Sequence, residues 1–443
     1  MSHAVHVYCG PTISAGEVRE ILPRAVTHPP ARHGDLLAES PEPGDTVILI
    51  DGVFFQAAPV RHKEILHLLA TGVQVAGAAS MGALRAAELC QYGMTGVGRV
   101  FAGYQDGTIT DDDEVAVACT PDGLTRLSEA MTDIRCNLTE AAAAAAISAC
   151  EAQQLAAVLK AVHYPSRTWA MLQAAAPADL QPAARRLREW AGWRGGFRSQ
   201  KADDARQALE MAAAGELPPP PAANWARSRS WESIYLRDWL ARFTPARSCG
   251  PAAPMEMILR HQQLHDPGFP ARWRRHVLTW LAGGPQAALD AAAAGGISVR
   301  RMTPAQTAYW LTAAEVAALP EQEQLARILV RSMARDMSAR IWPATPAEAD
   351  SLISRTTGSG EAVAAARDVN ELVAARGPQR TIWHLREDLL RSYLARLWGT
   401  GDGTAELTAA ARDRGFATAA AAVEAARYFY LLQLPAATAR RAP

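Results

Sequence analysis

Along the first 120 residues, apolar positions come in two alternating rhythms. Short apolar runs at 6–9, 25–28, 46–50 (TVILI) and 73–76 predict strands. The third is rich in β-branched residues and carries no charge, the mark of a strand buried on both faces. Between the runs, 16–22, 60–70 (VRHKEILHLLA) and 81–90 place apolar side chains three and four apart. That is the spacing of a helix with one buried face. Pro29 and Pro30 stop the second strand, and Gly72 ends the second helix. Strands alternating with helices predict an α/β N-terminal domain with a mainly parallel, Rossmann-like sheet and right-handed crossovers.

Near residue 124 the rhythm becomes mostly helical. The alanine-rich stretch 138–162 reads as a packed helix pair, because Ile147, Leu155, Val158 and Leu159 give it an apolar face. Residues 217–223 (LPPPPAA) read as a stiff linker. The expected organisation is a core over 1–215, a proline-rich linker over 216–223 and an all-helical C-terminal domain over 224–443. Within that last part 236–243, 272–281, 313–333 and 383–398 have helical spacing, and 399–404 (GTGDGT) reads as a loop. All twelve tryptophans stand at or after Trp169, so the two halves build their cores differently.

Composition narrows the functional classes. Forty-five basic residues balance forty-five acidic ones, which argues against a generic nucleic-acid binder. No apolar run approaches the roughly 20 residues of a membrane span, and no signal peptide is visible, so a cytoplasmic protein is expected. Cys9, Cys90, Cys119, Cys136, Cys150 and Cys249 are scattered without a C-x-x-C pair. Buried reduced thiols are expected, with no zinc-type spacing. Cys9 stands apart because it ends the first strand.

In a parallel sheet every strand's carboxyl end points the same way, so the turns at 9–12, 28–35, 51–52 and 79–82 should meet at one edge. Ser80 lies in A-A-S-M-G, close to the G-x-S-x-G turn that lifts a nucleophilic serine between strand and helix. The Met81 and Gly82 amides would then face a developing oxyanion. The plainer reading makes Ser80 a helix N-cap. Asp51 ends the buried strand and suits a histidine-orienting carboxylate or a turn cap with Gly52. His62 opens the next helix as a candidate base. His28 and His33 flank a turn carrying Arg32 and Asp35. Arg85 and Glu88 share a helical face as anion binder or surface pair. The acid run 111–114 reads as acidic residues at a helix start rather than a calcium loop, whose alternating spacing it lacks. The glycines at 93, 96 and 98 follow a helix and lack a Walker ending, so no nucleotide loop is expected.

Taken in order, Cys9-Gly10-Pro11-Thr12, Pro29-Pro30-x-Arg32-x-Gly34-Asp35, Ile50-Asp51-Gly52-x-Phe54, His62-Lys63-Glu64-Ile65-Leu66, Gly77-Ala78-x-Ser80-Met81-Gly82-Ala83-Leu84-Arg85-Ala86-Ala87-Glu88-Leu89, the 111–116 acid block and Gln200-Lys201-Ala202-Asp203-Asp204-Ala205 resemble the TfuA-like core domain over about residues 1–210. The resemblance implies partnership with a YcaO-family enzyme in making backbone thioamides on a ribosomal precursor peptide. It also implies a ThiS-like, ubiquitin-fold sulfur carrier whose C-terminal glycine thiocarboxylate this chain hydrolyses, releasing sulfide. No cofactor, metal, nucleic acid or membrane is implied. On that scheme Ser80 attacks the carbonyl or positions water, His62 or His33 relays the proton, and Asp51 orients the histidine. Arg32 or Arg85 holds the anionic end, with Gly10, Thr12, Met81 and Gly82 completing the substrate site. A non-catalytic adaptor docking carrier and peptide onto YcaO is the alternative function, and a sulfur-transferring Cys9 the alternative chemistry.

Overall fold

The TVILI run forms the centre of a sheet because Thr46 to Leu49 each have a partner on both sides. In the computed structural model, which describes residues 3–54, 57–121, 123–219, 221–228, 231–246, 250–336, 341–377, 379–401 and 403–433, five strands are parallel. They are β1 (Val5–Tyr8), β2 (Val26–His28), β3 (Thr46–Leu49), β4 (Gln74–Ala78) and β5 (Thr95–Val97), in the order β2-β1-β3-β4-β5. The register pairs Val7 with Ile48 and Ile48 with Ala76. Strand order reverses between β1 and β3, the position where open α/β sheets leave a crevice at their carboxyl ends.

Alternation along β3 divides the core. Val47 and Leu49 enter one apolar cluster with Ile65, Leu68 and Leu84. Ile48 and Ile50 enter another with Val18, Ala205 and Leu209. The first layer holds α3 (His62–Ala70) and α4 (Met81–Leu89); the second holds α1 (Ala15–Ile21) and α10 (Gln200–Ala214). Between them in sequence lie α2 (Asp35–Glu39), α5 (Gly98–Asp106), α6 (Met131–Ala143), α7 (Ala149–Lys160), α8 (Trp169–Ala175) and α9 (Gln181–Trp193). Helices α6 and α7 are the expected alanine-rich pair, sealed by Ile134, Leu138, Leu155 and Leu159.

Three expectations change. Strand β5 carries Gly96 in a three-residue strand, too short and too weak in β-propensity to show as a pattern. The acid run starts no α-helix: Asp112–Glu114 is one 3-10 turn. The Lys160 ammonium stands among its carboxylates, 3.0 Å from Asp111 and 2.9 Å from Glu114 and also paired with Asp113, while Arg135 and Arg167 complete the neutralisation. The third is the domain boundary. The chain divides into compact units at Glu232/Ser233, because the residues after the prolines pack back onto the first unit. Gln74 holds the Pro218 carbonyl at 2.8 Å, and Trp225 donates to the Tyr92 carbonyl at 3.1 Å.

The second unit is mostly helical around Phe269, Trp273, Leu390, Leu394 and Phe429, with one two-residue antiparallel pair among the described residues, Pro245–Ala246 against Ala253–Pro254. Its fully buried Arg331 is gripped by Glu315 and Asp413. Cys249 lies outside the described residues. No described helix is long and apolar enough to cross a membrane.

Candidate functional site

The turn between β4 and α4 is built from small residues because two backbones nearly touch there. A Cβ on Gly82 would lie 1.7 Å from the Leu49 carbonyl oxygen, and one on Gly77 would lie 2.1 Å from the Gly82 oxygen. Ala79 takes a left-handed φ of 68°, and Ser80 N donates to Ala78 O at 2.8 Å, closing the turn within three residues. Ser80 is thereby placed at the N-cap position of α4. Its side chain makes no capping hydrogen bond, so the plain N-cap reading does not account for the serine.

Ser80 instead lines a cleft with Pro11, Pro30, Arg32, Asp51 and Cys119, among others, enclosing about 700 Å³ including its open mouth. Residues after β1, β2, β3 and β4 thus meet where the sheet topology places them, beside the β1/β3 switch. The opposite wall is Val115–Val117 and a turn around Cys119, Pro121 and Gly123, closed by the pairing of Cys119 with Arg126.

Asp51 is the buried carboxylate of this cleft, 2 % exposed. Thr12 donates to it twice, through N at 3.1 Å and Oγ1 at 2.6 Å, and the Gly10 amide is a further donor. Burial pushes the Asp51 carboxyl above its ordinary range, against the opposing pull of Lys201 and the Thr12 and Gly10 donors. Lys201, at the start of α10, is itself buried and donates to the Val115 carbonyl at 2.9 Å. Burial lowers its proton affinity while Asp51 and Asp133 oppose that fall. The two ionisable groups therefore share one low-dielectric pocket and are each other's countercharge.

The expected histidine relay is not formed. Asp51 is occupied by Thr12 and Gly10, and neither His33 nor His62 lines the cleft. His33 sits 2.6 Å from Glu64, a fully buried carboxylate that also accepts from Gly34 N and Arg61 N. His62 pairs with Glu88 at 2.7 Å on a half-exposed surface. Burial works against charge on Glu88, but His62 and Arg85 outweigh it and hold the carboxyl below its usual range. Arg85 points the same way, bonded to Glu88 at 2.7 Å and to the Val60 carbonyl at 3.2 Å. Of the two candidate arginines, only Arg32 lines the cleft.

The predicted oxyanion donors separate as well. Gly82 N is spent on the Ile50 carbonyl at 3.2 Å, whereas Met81 stands first in the helix, where an amide has no intrahelical acceptor. Gly10 is needed for space: a Cβ there would meet Pro30 at 2.4 Å. Cys9 is 3 % exposed, and burial, reinforced by Asp51, pushes its thiol up to about 11. A thiol held protonated in this way is a poor sulfur nucleophile. Cys119, half-buried, is the cysteine that lines the cleft. Sequence reasoning missed it because its strand-less wall has no period. It gave Lys201 no role, although the lysine stands in the 200–205 block of the TfuA-like resemblance.

Residues 51–168 match the family model of TfuA-like protein. No curated protein matches the chain. The TfuA-like segment contains Asp51, Ser80, Met81, Gly82 and the 115–123 wall. Gly10, Thr12, Arg32 and Lys201 complete the cleft and its surroundings from outside it.

Proposed function

We propose that this chain hydrolyses the C-terminal thiocarboxylate of a ThiS-like, ubiquitin-fold sulfur carrier and supplies the sulfide to a YcaO-family enzyme. That enzyme then converts backbone amides of a ribosomal precursor peptide to thioamides in the cytoplasm. The TfuA-like match supports a role in this thioamidation-associated family. The observation that carries the hydrolytic reading is the uncapped Ser80 sharing one cleft with Arg32 and the Asp51 carboxylate.

A thiocarboxylate is an anion, so attack at its carbon needs a cation first; Arg32 supplies one at the cleft wall. The Ser80 oxygen, or a water it positions, then adds to the carbonyl carbon and its proton passes to Asp51, replacing the histidines in that role. The Met81 amide faces the oxyanion. The proton held by Asp51 passes to the sulfur, the C–S bond breaks and hydrosulfide leaves. If Ser80 has become acylated, water cleaves the ester to the carrier carboxylate and restores the hydroxyl. Hydrosulfide leaves far more readily than an amine, so the one proton returned by Asp51 is the only acid help the step requires.

The test mixes the purified full chain with thiocarboxylated carrier and follows sulfide colorimetrically, with and without YcaO. Release by the chain alone, falling at least about 100-fold in Ser80→Ala, is expected. No release without YcaO sinks the hydrolase and leaves the adaptor, and full release by Ser80→Ala removes the serine from the chemistry.

A further inference from the structure

The edge of the sheet carries a second cluster that the hydrolytic reading does not use. His6 of β1 and His28 of β2 stand on neighbouring strands, their rings 5.2 Å apart and 14° from parallel. His6 Nδ1 lies 3.0 Å from His28 Nε2. Glu39, at the last position of α2, brings its Oε1 to 3.6 Å from His28 Nδ1. One possible ligand atom from each of the three lies within 4.8 Å of the others. We propose that His6, His28 and Glu39 form a binding site for a zinc-like divalent transition metal, clamping the edge strand β2 to β1 and α2.

The chemistry of the donors sets the class of ion. Two imidazoles and one carboxylate suit zinc or its neighbours over magnesium and calcium, which prefer oxygen shells. A tetrahedral zinc with bonds of about 2.0–2.1 Å separates two ligand nitrogens by about 3.3 Å. The observed 3.0 Å needs only a small parting of the rings. His6 is 8 % exposed and held in a strand, and Tyr8 stacks on His28 at 4.6 Å with its hydroxyl on the Asp35 carbonyl. Both rings are therefore pre-oriented. Glu39 Oε1 stands nearest the other His28 nitrogen, Nδ1, so this partly exposed carboxylate must swing past the ring edge to join His6 Nδ1 and His28 Nε2, and the fourth position is left to water.

The position gives the ion a consequence. His28 is followed by Pro29, Pro30, Ala31 and Arg32, and both Pro30 and Arg32 line the cleft. Metal at the edge strand fixes the base of that segment. The competing explanation of the 3.0 Å approach is a plain imidazole–imidazole hydrogen bond, which predicts no metal affinity at all.

The experiment strips the full chain with chelator and titrates zinc against a chromogenic indicator, with magnesium as control. One equivalent bound below micromolar Kd, a rise of several degrees in melting temperature, and no response to magnesium are expected. His28→Gln and His6→Gln, checked for native circular dichroism, should weaken binding at least about 30-fold. Cobalt loading should give a tetrahedral visible spectrum without a thiolate charge-transfer band, separating this site from the cysteines. Zinc binding that is absent, that survives in both glutamine variants, or that shows the thiolate band overturns the proposal. None of these readouts depends on sulfide release.

Discussion

Replacing Gly82 by alanine tests whether close backbone approach is what positions Ser80. The added Cβ would stand 1.7 Å from the Leu49 oxygen, 2.6 Å from its carbonyl carbon and 3.3 Å from Gly77 Cα. Carbon–oxygen contacts settle near about 3.3–3.6 Å, so the first turn of α4 must withdraw by about 1.6 Å from β3. Overpacking costs about 1–3 kcal/mol when side chains can yield. Here the obstacle is the backbone of the central strand, which cannot. Withdrawal also breaks the 3.2 Å bond from Gly82 N to Ile50 O, and a buried amide without an acceptor costs about 1–3 kcal/mol. The sum is about 2–6 kcal/mol. For a unit the size of Met1–Glu232, that lowers the melting temperature by about 4–24 °C. Because Ser80 moves with the turn by more than 1 Å, sulfide release should fall by about 100-fold even where the protein stays folded.

Calorimetry of the full chain and the sulfide assay at a temperature below the variant's melting point read the two effects separately. Gly192→Ala is the control. That glycine is within α9 and an added Cβ meets nothing within 4 Å. It should be neutral or stabilising by up to about 1 kcal/mol. A Gly82→Ala protein melting within 2 °C or so of the native one (about 1 kcal/mol or less) would refute the reasoning, since the strand and helix would then have slack the structure does not show.

Arg32→Ala removes a charge-assisted contact of about 1.5–3 kcal/mol, so kcat/KM for the thiocarboxylated carrier should fall about 10–150-fold. An unchanged kcat/KM takes Arg32 off the substrate. Native-state alkylation at pH 8 should modify Cys119 and the exposed Cys150 while sparing the buried Cys9, whose thiol is raised to about 11; mass spectrometry showing Cys9 modified as fast as Cys150 contradicts that burial. Glu315, desolvated but more than compensated by Arg331, has its carboxyl held at about 2. A depressed folded value means its contribution is complete above about 4.5 and vanishes as pH falls through about 2. After allowance for solvent screening it is worth about 1–2 kcal/mol. Guanidinium denaturation should show Glu315→Gln weaker than the native chain at pH 7 and nearly equal to it at pH 2; a difference independent of pH rejects the ionic origin.

The sheet was legible because TVILI, Asp51-Gly52 and the small-residue turn around Ser80 are local statements: a buried strand, its end, and a tight reversal. Parallel topology then carried Pro11, Arg32, Asp51 and Ser80 to one edge without any long-range contact being known. The histidines failed because nearness to a turn in sequence does not give the direction of a side chain. His62 begins α3 but its ring reaches Glu88 of α4, and His33 turns to Glu64. Glu64 looks like a surface residue of an amphipathic helix, yet it is buried to hold the His33 ring and the Gly34 and Arg61 amides. The acid run misled for a similar reason. Its cation, Lys160, comes from the end of α7, and nothing local announces it.

The extent of the working unit follows from who holds Asp51. The TfuA-like match begins at that residue and ends at 168. Asp51 nevertheless takes its donors from Gly10 and Thr12, and its countercharge from Lys201. A segment cut to 51–168 would also lose β1, β2 and β3, keeping only β4 and β5 of the sheet, and α10 from the second layer. It would leave Ala76, Ala78 and Val97 without cover and a buried carboxylate without partners. An uncompensated buried charge costs about 3–5 kcal/mol, a large share of a domain's whole stability. The matched segment therefore supplies the serine and the cleft's far wall, but residues on both sides of it make the carboxylate tolerable there. The smallest piece that keeps this cleft intact runs from β1 through α10.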